Sequence, residues 1–371
     1  MQTEHIALPT LAPGHRQQLT VLRFGQAGRG PKAYVQAALH ADEIPALLVA
    51  QKLRALLVAE EAAGRLAGEV VLVPYANPLG LSQHLLGQHV GRFDLRDGVN
   101  FNRMVPDLTE AAASAVQGRL GADADANEAL VRQALLDAAT ALRSTDPAVE
   151  LKNRLMQLAA DAHVVLDLHC DSEAVMHLYA LTPQAEQAAE LGACLGARAI
   201  LLATESGDWP FDEACTRPWY LLQQRFADHP LPLGNFAVTV ELRGQADTRH
   251  DQAEADAQAI VRYLRHRGVL SGPAAPLPAV QCQPTPLASS EPVTAPSAGV
   301  VVFHREPGEW IDAGSPVVDI VDIDSGAVTP VLAQSSGVLY ARVATRWATP
   351  GKRLAKIAGN TLERKGKLLG A

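Results

Sequence analysis

Short apolar runs alternate along this chain with longer segments of helical character. Gln18 to Phe24 (QLTVLRF) alternates apolar and polar residues, the period of a strand. Lys32 to Leu39 (KAYVQAAL) reads as a second strand and runs straight into His40-Ala41-Asp42-Glu43. Pro45 then opens an Ala/Leu-rich helix to about Glu61, because the first helical turn has no use for the N–H that proline lacks. Glu69 to Val73 (EVVLV) is a short buried strand ending at Pro74, and Asn77-Pro78-Leu79-Gly80 follows as a turn. From Asp107 to about Ala160, Ala, Asp, Gln and Leu dominate, which predicts surface helices. Val164 to Leu168 (VVLDL) is a buried strand that ends at His169. Glu186 to Leu195 reads as helix, Phe236 to Leu242 (FAVTVEL) as a strand carrying Glu241, and Ala253 to Arg267 as an amphipathic helix. This alternation implies an α/β sheet covered on both faces.

A Pro-rich stretch beginning near Ser271 marks a boundary, and the pattern after it changes to short β runs between glycine turns. The division is therefore 1–270 and 271–371. The second part contains an internal repeat. Ser297-Ala298-Gly299-Val300 matches Ser336-Gly337-Val338, and Gly314 to Ile320 matches Gly351 to Ile357. Two such halves suggest a small all-β barrel-like domain. It resembles a biotinyl/lipoyl-type barrel, but Val321 to Ala341 has no lysine to accept a carrier group. A structural or access-limiting role is expected for it.

Composition narrows the classes. At roughly 150 residues per domain, 371 residues make about two domains. A hydrophobic fraction of 48% can bury a core, so disorder of the whole chain is excluded. No run approaches the roughly 18 apolar residues of a membrane span. A net charge of −8 argues against a nucleic-acid or anionic-membrane coat. Cys170, Cys194, Cys215 and Cys282 are scattered and form no C-x-x-C pair, and the amino terminus shows no secretory pattern. Cytoplasmic location is the expectation.

The chemistry gathers at strand ends. His40-x-x-Glu43 lies between a strand and a helix, where α/β sheets place ligands. His169 and Glu241 end two further apolar strands. Burying unpaired charge is costly, and convergence on a metal removes that cost. A His-Glu-His set supplies three zinc ligands and leaves a position for water. Asp167 shares a strand face with His169 and is a candidate hydrogen-bond partner for it, whereas Cys170 points to the other face. A loop from Gly91 to Arg103 adds Arg92, Asn102 and Arg103, side chains suited to carboxylates and polarised carbonyls. His84, His89 and His177 are expected to be solvated or locally hydrogen-bonded, and Trp209, Trp219 and Tyr220 to lie in a loop.

The ordered set His40-Ala-Asp-Glu43, Asn77-Pro-Leu-Gly80, Arg92…Asp97-Gly98…Asn102-Arg103, Asp167-Leu-His169 and Thr239-Val-Glu241 resembles the succinylglutamate desuccinylase/aspartoacylase family, itself similar to the zinc carboxypeptidases. The resemblance spans most of residues 18–267. It implies a zinc-carboxypeptidase-like mixed sheet. It also implies one Zn2+ per chain on His40, Glu43 and His169, Glu241 as general base and acid, Arg92 as oxyanion partner, and Asn102 and Arg103 on the α-carboxylate of a small N-acyl amino acid. Two departures stand out. Asn100 occupies the place where the family commonly has Asp, a change expected to touch a loop hydrogen bond more than the chemistry. Between Arg225 and Glu241 there is no Arg or Lys to hold an acidic substrate group, leaving Arg217 and Arg243 as substitutes. A neutral or basic amino acid is equally compatible, with Asp171, Asp208 or Asp212 available to a substrate cation.

The reading is thus a zinc-dependent amidohydrolase of linear amides, a deacylase. The alternatives are a metallocarboxypeptidase for short peptides and a non-catalytic metal-dependent binding protein. The partner is a small molecule, with neither nucleic acid nor membrane, and a homo-oligomer is compatible. The acyl group, side chain, physiological metal and the role of the β part stay open at this point.

Overall fold

The computed structural model describes residues 1–273 and 275–369. A nine-stranded sheet runs in the order Gln2–Ala7, Gln18–Gly25, Glu69–Val73, Lys32–Ala37, Val164–Asp171, Phe236–Gly244, Met176–Leu181, Ala199–Ala203, Pro284–Pro286. Its centre is parallel: Lys32–Ala37 lies between Glu69–Val73 and Val164–Asp171, and Val164–Asp171 pairs in parallel with Phe236–Gly244. Met176–Leu181 joins antiparallel, so the sheet is mixed. These central strands are apolar along their length because helices cover both faces. Helices Pro45–Ala62, Ala185–Leu195 and His250–His266 pack on one face with Val35, Leu166, Leu168 and Val240. Helices Thr109–Val116, Ala124–Ala141, Pro147–Ala159 and Phe211–Arg225 pack on the other with Tyr34, Val71, Val165 and Ala237.

Two departures from the periodicity have physical causes. The region 107–160 does form helices, but Pro147–Ala159 is not a surface element; Leu151, Leu155 and Met156 are fully enclosed. Trp219 and Tyr220 lie in the helix Phe211–Arg225 despite Pro218 inside it, and Trp219 is completely buried. His177 is locally hydrogen-bonded, as expected, with its Nδ1 2.8 Å from the Val175 carbonyl oxygen, and it is completely buried in a strand. Proline and polar residues misled the local reading because burial, not propensity, decided these elements.

Residues 291–359 form two sheets around a separate apolar core that includes Val293, Val301, Val318, Ile320, Leu339 and Ile357. Gly299–Phe303 pairs with Pro316–Val321, and Gly337–Arg342 pairs with Arg353–Gly359, so the two sequence repeats build equivalent hairpins. Both repeat glycines are sterically required. A Cβ at Gly299 would lie 2.5 Å from the Val321 carbonyl oxygen, and one at Gly337 would lie 2.3 Å from that of Ala358. This β part is woven onto the main sheet: Glu173–Ala174 pairs with Gly337–Arg342, and Lys356 forms an ion pair with Asp171. None of the described helices is long and apolar enough to cross a membrane.

Candidate active site

His40 follows one of three adjacent central strands, and His169 and Glu241 lie near the C-terminal ends of the other two. Period-two alternation sends Val165, Asp167 and His169 to one face, and the parallel register sets Glu241 opposite His169 on that face. Ala38 adopts a left-handed conformation (φ 56°) just after its strand, which turns the chain into the His40–Glu43 segment. The Asn77-Pro-Leu-Gly turn buttresses this segment. Asn77 Nδ2 donates to the Leu39 carbonyl at 2.9 Å, and its Oδ1 caps the Gly80 N–H at 2.8 Å. Gly91 lies so close behind that a Cβ there would meet Asp42 N at 2.6 Å.

His40, Glu43 and His169 are all buried and bring one potential ligand atom each within 4.8 Å of one another. Their orientation fits a cation. His40 Nδ1 is 2.9 Å from Glu43 Oε1, and His169 Nδ1 is 2.8 Å from Glu43 Oε2. The opposite nitrogens are already engaged: His40 Nε2 lies 2.8 Å from Asn100 Oδ1, and His169 Nε2 lies 2.9 Å from Asp167 Oδ2. With N–H groups at both Nε2 atoms, two lone pairs face two carboxylate oxygens, an arrangement that requires a proton or a metal between them. A buried chain fixes the His169 side: Tyr34 Oη donates to Gln36 Oε1 at 2.7 Å, and Gln36 Nε2 to Asp167 Oδ1 at 2.8 Å.

Electrostatics follow the same pattern. Burial opposes charge on Glu43, but the His169 and His40 imidazoles hold it well below the usual carboxylate range. Burial likewise opposes charge on His169, and the Asp167 and Glu43 carboxylates raise it well above an ordinary histidine. His40 is lowered by burial and by the Arg92 charge. Glu241 is pushed up to about 8 by burial and by the negative charges of Glu43 and Asp171; its Oε2 is enclosed and has no hydrogen-bond partner among the described residues. A cation on the histidines would favour its ionised form.

Arg92 reaches the same centre, with Nη1 3.0 Å from Glu43 Oε1 and 3.2 Å from His40 Nδ1. Asn102 Nδ2 lies 3.4 Å from His169 Nε2, and its Oδ1 accepts the Phe211 N–H at 2.8 Å, tying the loop to the next helix. Arg103 is buried and donates to the Asn102 carbonyl at 2.7 Å. All seven predicted residues line one cavity of about 730 Å³. Two substitutes for the missing arginine do not. Arg243 pairs with Asp256, and Arg217 pairs with Glu205 and stacks 5.3 Å over Trp209; neither lines the cavity. The sequence reading undervalued Asn100, whose side chain orients His40 itself; the signal was its place two residues before Asn102. The access-limiting role expected for the β part named none of its residues; Arg342, Arg353 and Lys356 line the cavity.

Comparison with known proteins decides the family. The succinylglutamate desuccinylase/aspartoacylase catalytic domain matches residues 29–267. The chain belongs to this family. A family protein from Shewanella amazonensis is 28% identical, with a TM-score of 0.84 over 96% of this chain and 98% of that one. One from Shewanella frigidimarina, carrying the same family name, is 26% identical with a TM-score of 0.84 over 97% of both chains. A third from Rhodobacter sphaeroides, 16% identical with a TM-score of 0.64 over 96% of this chain and 94% of that one, shares the fold. No curated protein matches significantly. The family is one of deacylating hydrolases, and the chain has a buried His-Glu-His group able to hold a metal.

Proposed function

We propose that this protein is a zinc-dependent deacylase that hydrolyses the amide of a small N-acyl amino acid. The observation that carries this reading is the His40–Glu43–His169 set, with both Nδ1 atoms turned to one carboxylate and Glu241 on the adjacent strand. His40, Glu43 and His169 would hold one zinc ion per chain, which supplies Lewis acidity that makes water nucleophilic near neutral pH and polarises the acyl carbonyl.

The chain's own groups do the rest. Glu241 takes a proton from the attacking water and returns it to the leaving nitrogen, so that amide and water give a carboxylate and an amine. Arg92 donates to the oxygen that becomes negative as the carbonyl carbon turns tetrahedral; such a donor is typically worth about 3–4 kcal/mol. Asn102 and Arg103 hold the α-carboxylate and so fix the scissile bond against Glu241. Residues 1–270 form the hydrolase unit in this reading, and the β part from 271 onward limits access. A cavity of about 730 Å³ walled by Arg342, Arg353 and Lys356 suits a small ligand better than an extended peptide.

Metal analysis of protein purified without added metal, paired with an amine-release screen over N-acetyl and N-succinyl amino acids, tests the proposal. About one zinc per chain with release from one acyl class is the expected result. No divalent metal bound after reconstitution would overturn it.

A further inference from the structure

One four-residue turn carries three of the groups at the site. Asn100 orients His40, Asn102 reaches His169, and Arg103 lines the cavity. The Arg103 N–H donates to the Asn100 carbonyl at 3.2 Å and the Asn102 N–H to Asn100 Oδ1 at 2.8 Å, so the turn closes on itself. The chain leaves it under strain, because Met104 is left-handed (φ 54°). Two backbone bonds hold that exit: Met104 N–H to the Asp208 carbonyl at 2.8 Å, and Val105 N–H to that of Trp209 at 3.2 Å. Asp208 and Trp209 are themselves left-handed (φ 59° and 48°), and the Asp208 carboxylate is anchored by Lys367. Such a run of costly conformations persists only where the surroundings fix it.

The helix Pro147–Ala159 supplies part of that restraint through Lys152. This lysine is 5% exposed, and its ammonium donates to the Arg103 carbonyl at 2.6 Å and to the Asn100 carbonyl at 3.3 Å. One charged group thus bridges the first and last residues of the turn. It forms no ion pair among the described residues. The charges of Asp97, Asp146 and Asp94 act on it, but Asp94 and Asp146 are paired with Arg96. Burying an ammonium on two neutral carbonyls is costly for a residue that only fills space. Hydrogen bonds from a charged donor are, however, roughly twice as strong as neutral ones, which suits a turn that must be held against strain.

We propose that Lys152 is a positioning residue for substrate recognition: its buried ammonium sets the Asn100–Arg103 turn so that Asn102 and Arg103 meet the α-carboxylate of the bound amino acid. This rests on the deacylase reading above for the identity of that carboxylate. Lys152 does not line the cavity and acts only through the two carbonyls. Without the ammonium the turn keeps its residues but loses its bridge, and the left-handed exit at Met104 is free to relax and carry Arg103 out of place.

The test is calorimetric binding to the zinc-loaded full chain of glutamate, leucine and lysine, each against the amine left by α-decarboxylation: 4-aminobutanoate, 3-methylbutylamine and cadaverine. Displacement of the tightest amino acid measures the weak amines. At least one amino acid should bind the parent about 10-fold or more tighter than its amine. In Lys152→Met that ratio should fall about fivefold while the amine's affinity holds, whereas a general loosening of the site would weaken both alike. Lys152→Gln keeps one neutral donor; it should lower the ratio less, and it serves where Lys152→Met fails to fold. No binding or no carboxylate preference in the parent, an unchanged ratio in the folded variant, or equal weakening of acid and amine overturns the inference. Turnover separates it from the deacylase reading: for any N-acetyl amino acid that is cleaved, KM should rise in Lys152→Met by a larger factor than kcat falls. A carboxylate preference that depends on Lys152, without cleavage of any N-acetyl or N-succinyl amino acid, removes the deacylase reading and keeps the positioning role. Cleavage together with a preference indifferent to Lys152 does the reverse.

Discussion

Replacing Asn100 should weaken metal binding although Asn100 is not a ligand. Its Oδ1 accepts from His40 Nε2 and from the Asn102 N–H, each at 2.8 Å, and its side chain is buried. The first contact makes Nε2 the protonated nitrogen of His40 and leaves the Nδ1 lone pair facing Glu43. Asn100→Ala removes that orientation and leaves an enclosed imidazole N–H without an acceptor. Losing such a partner typically lowers metal affinity 10- to 100-fold, or about 1.4–2.7 kcal/mol. Asn100→Asp keeps the acceptor and adds charge. A charge-assisted hydrogen bond is roughly twice as strong as a neutral one, so this variant should bind zinc about fivefold tighter than the parent, near 1 kcal/mol. Competition with a chromophoric chelator at fixed pH measures all three affinities, with circular dichroism as the check on folding. Zinc affinity within twofold of the parent in Asn100→Ala, or Asn100→Asp binding more weakly than Asn100→Ala, would refute the assigned orientation of His40.

Three further outcomes are expected. Glu241→Gln should lower kcat by about 10²–10⁴-fold while zinc content by elemental analysis stays near one per chain. Gly91→Ala should destabilise by about 1–3 kcal/mol and reduce metal stoichiometry, because its Cβ would press on the backbone of Ala41 and Asp42 between His40 and Glu43, the proposed ligands; thermal denaturation and metal analysis together read this. His177 is lowered by burial from the ordinary histidine value of 6.5 to about 4, next to the Lys356 charge and the rings of Tyr179 and Tyr340. Between pH 6.5 and 4 the unfolded chain therefore binds a proton that the native chain refuses, so stability falls as pH falls, by about 1.4 kcal/mol per unit and about 3 kcal/mol in all. Denaturant titrations across that range should show a shallower loss in His177→Gln; an identical slope would exclude His177 as a source.

The apolar runs, the proline at the start of the first helix and the ordered motifs were properties of the chain alone. They located the three strand ends, and with them His40, Glu43, His169 and Glu241, because period-two alternation and strand termination are local. The repeat of Gly299 and Gly337 was legible for the same reason, as each glycine answers a close backbone approach within its own hairpin. Pairings between distant segments were not legible. His169 meets Glu43 across 126 residues only because the sheet order places Lys32–Ala37 beside Val164–Asp171. The tertiary structure also decided that Lys356 neutralises Asp171 and that Asn100 orients His40. A side chain's charge is written in the sequence. The partner that satisfies it is set by packing, and in a low-dielectric cavity that partner determines what the charge can do.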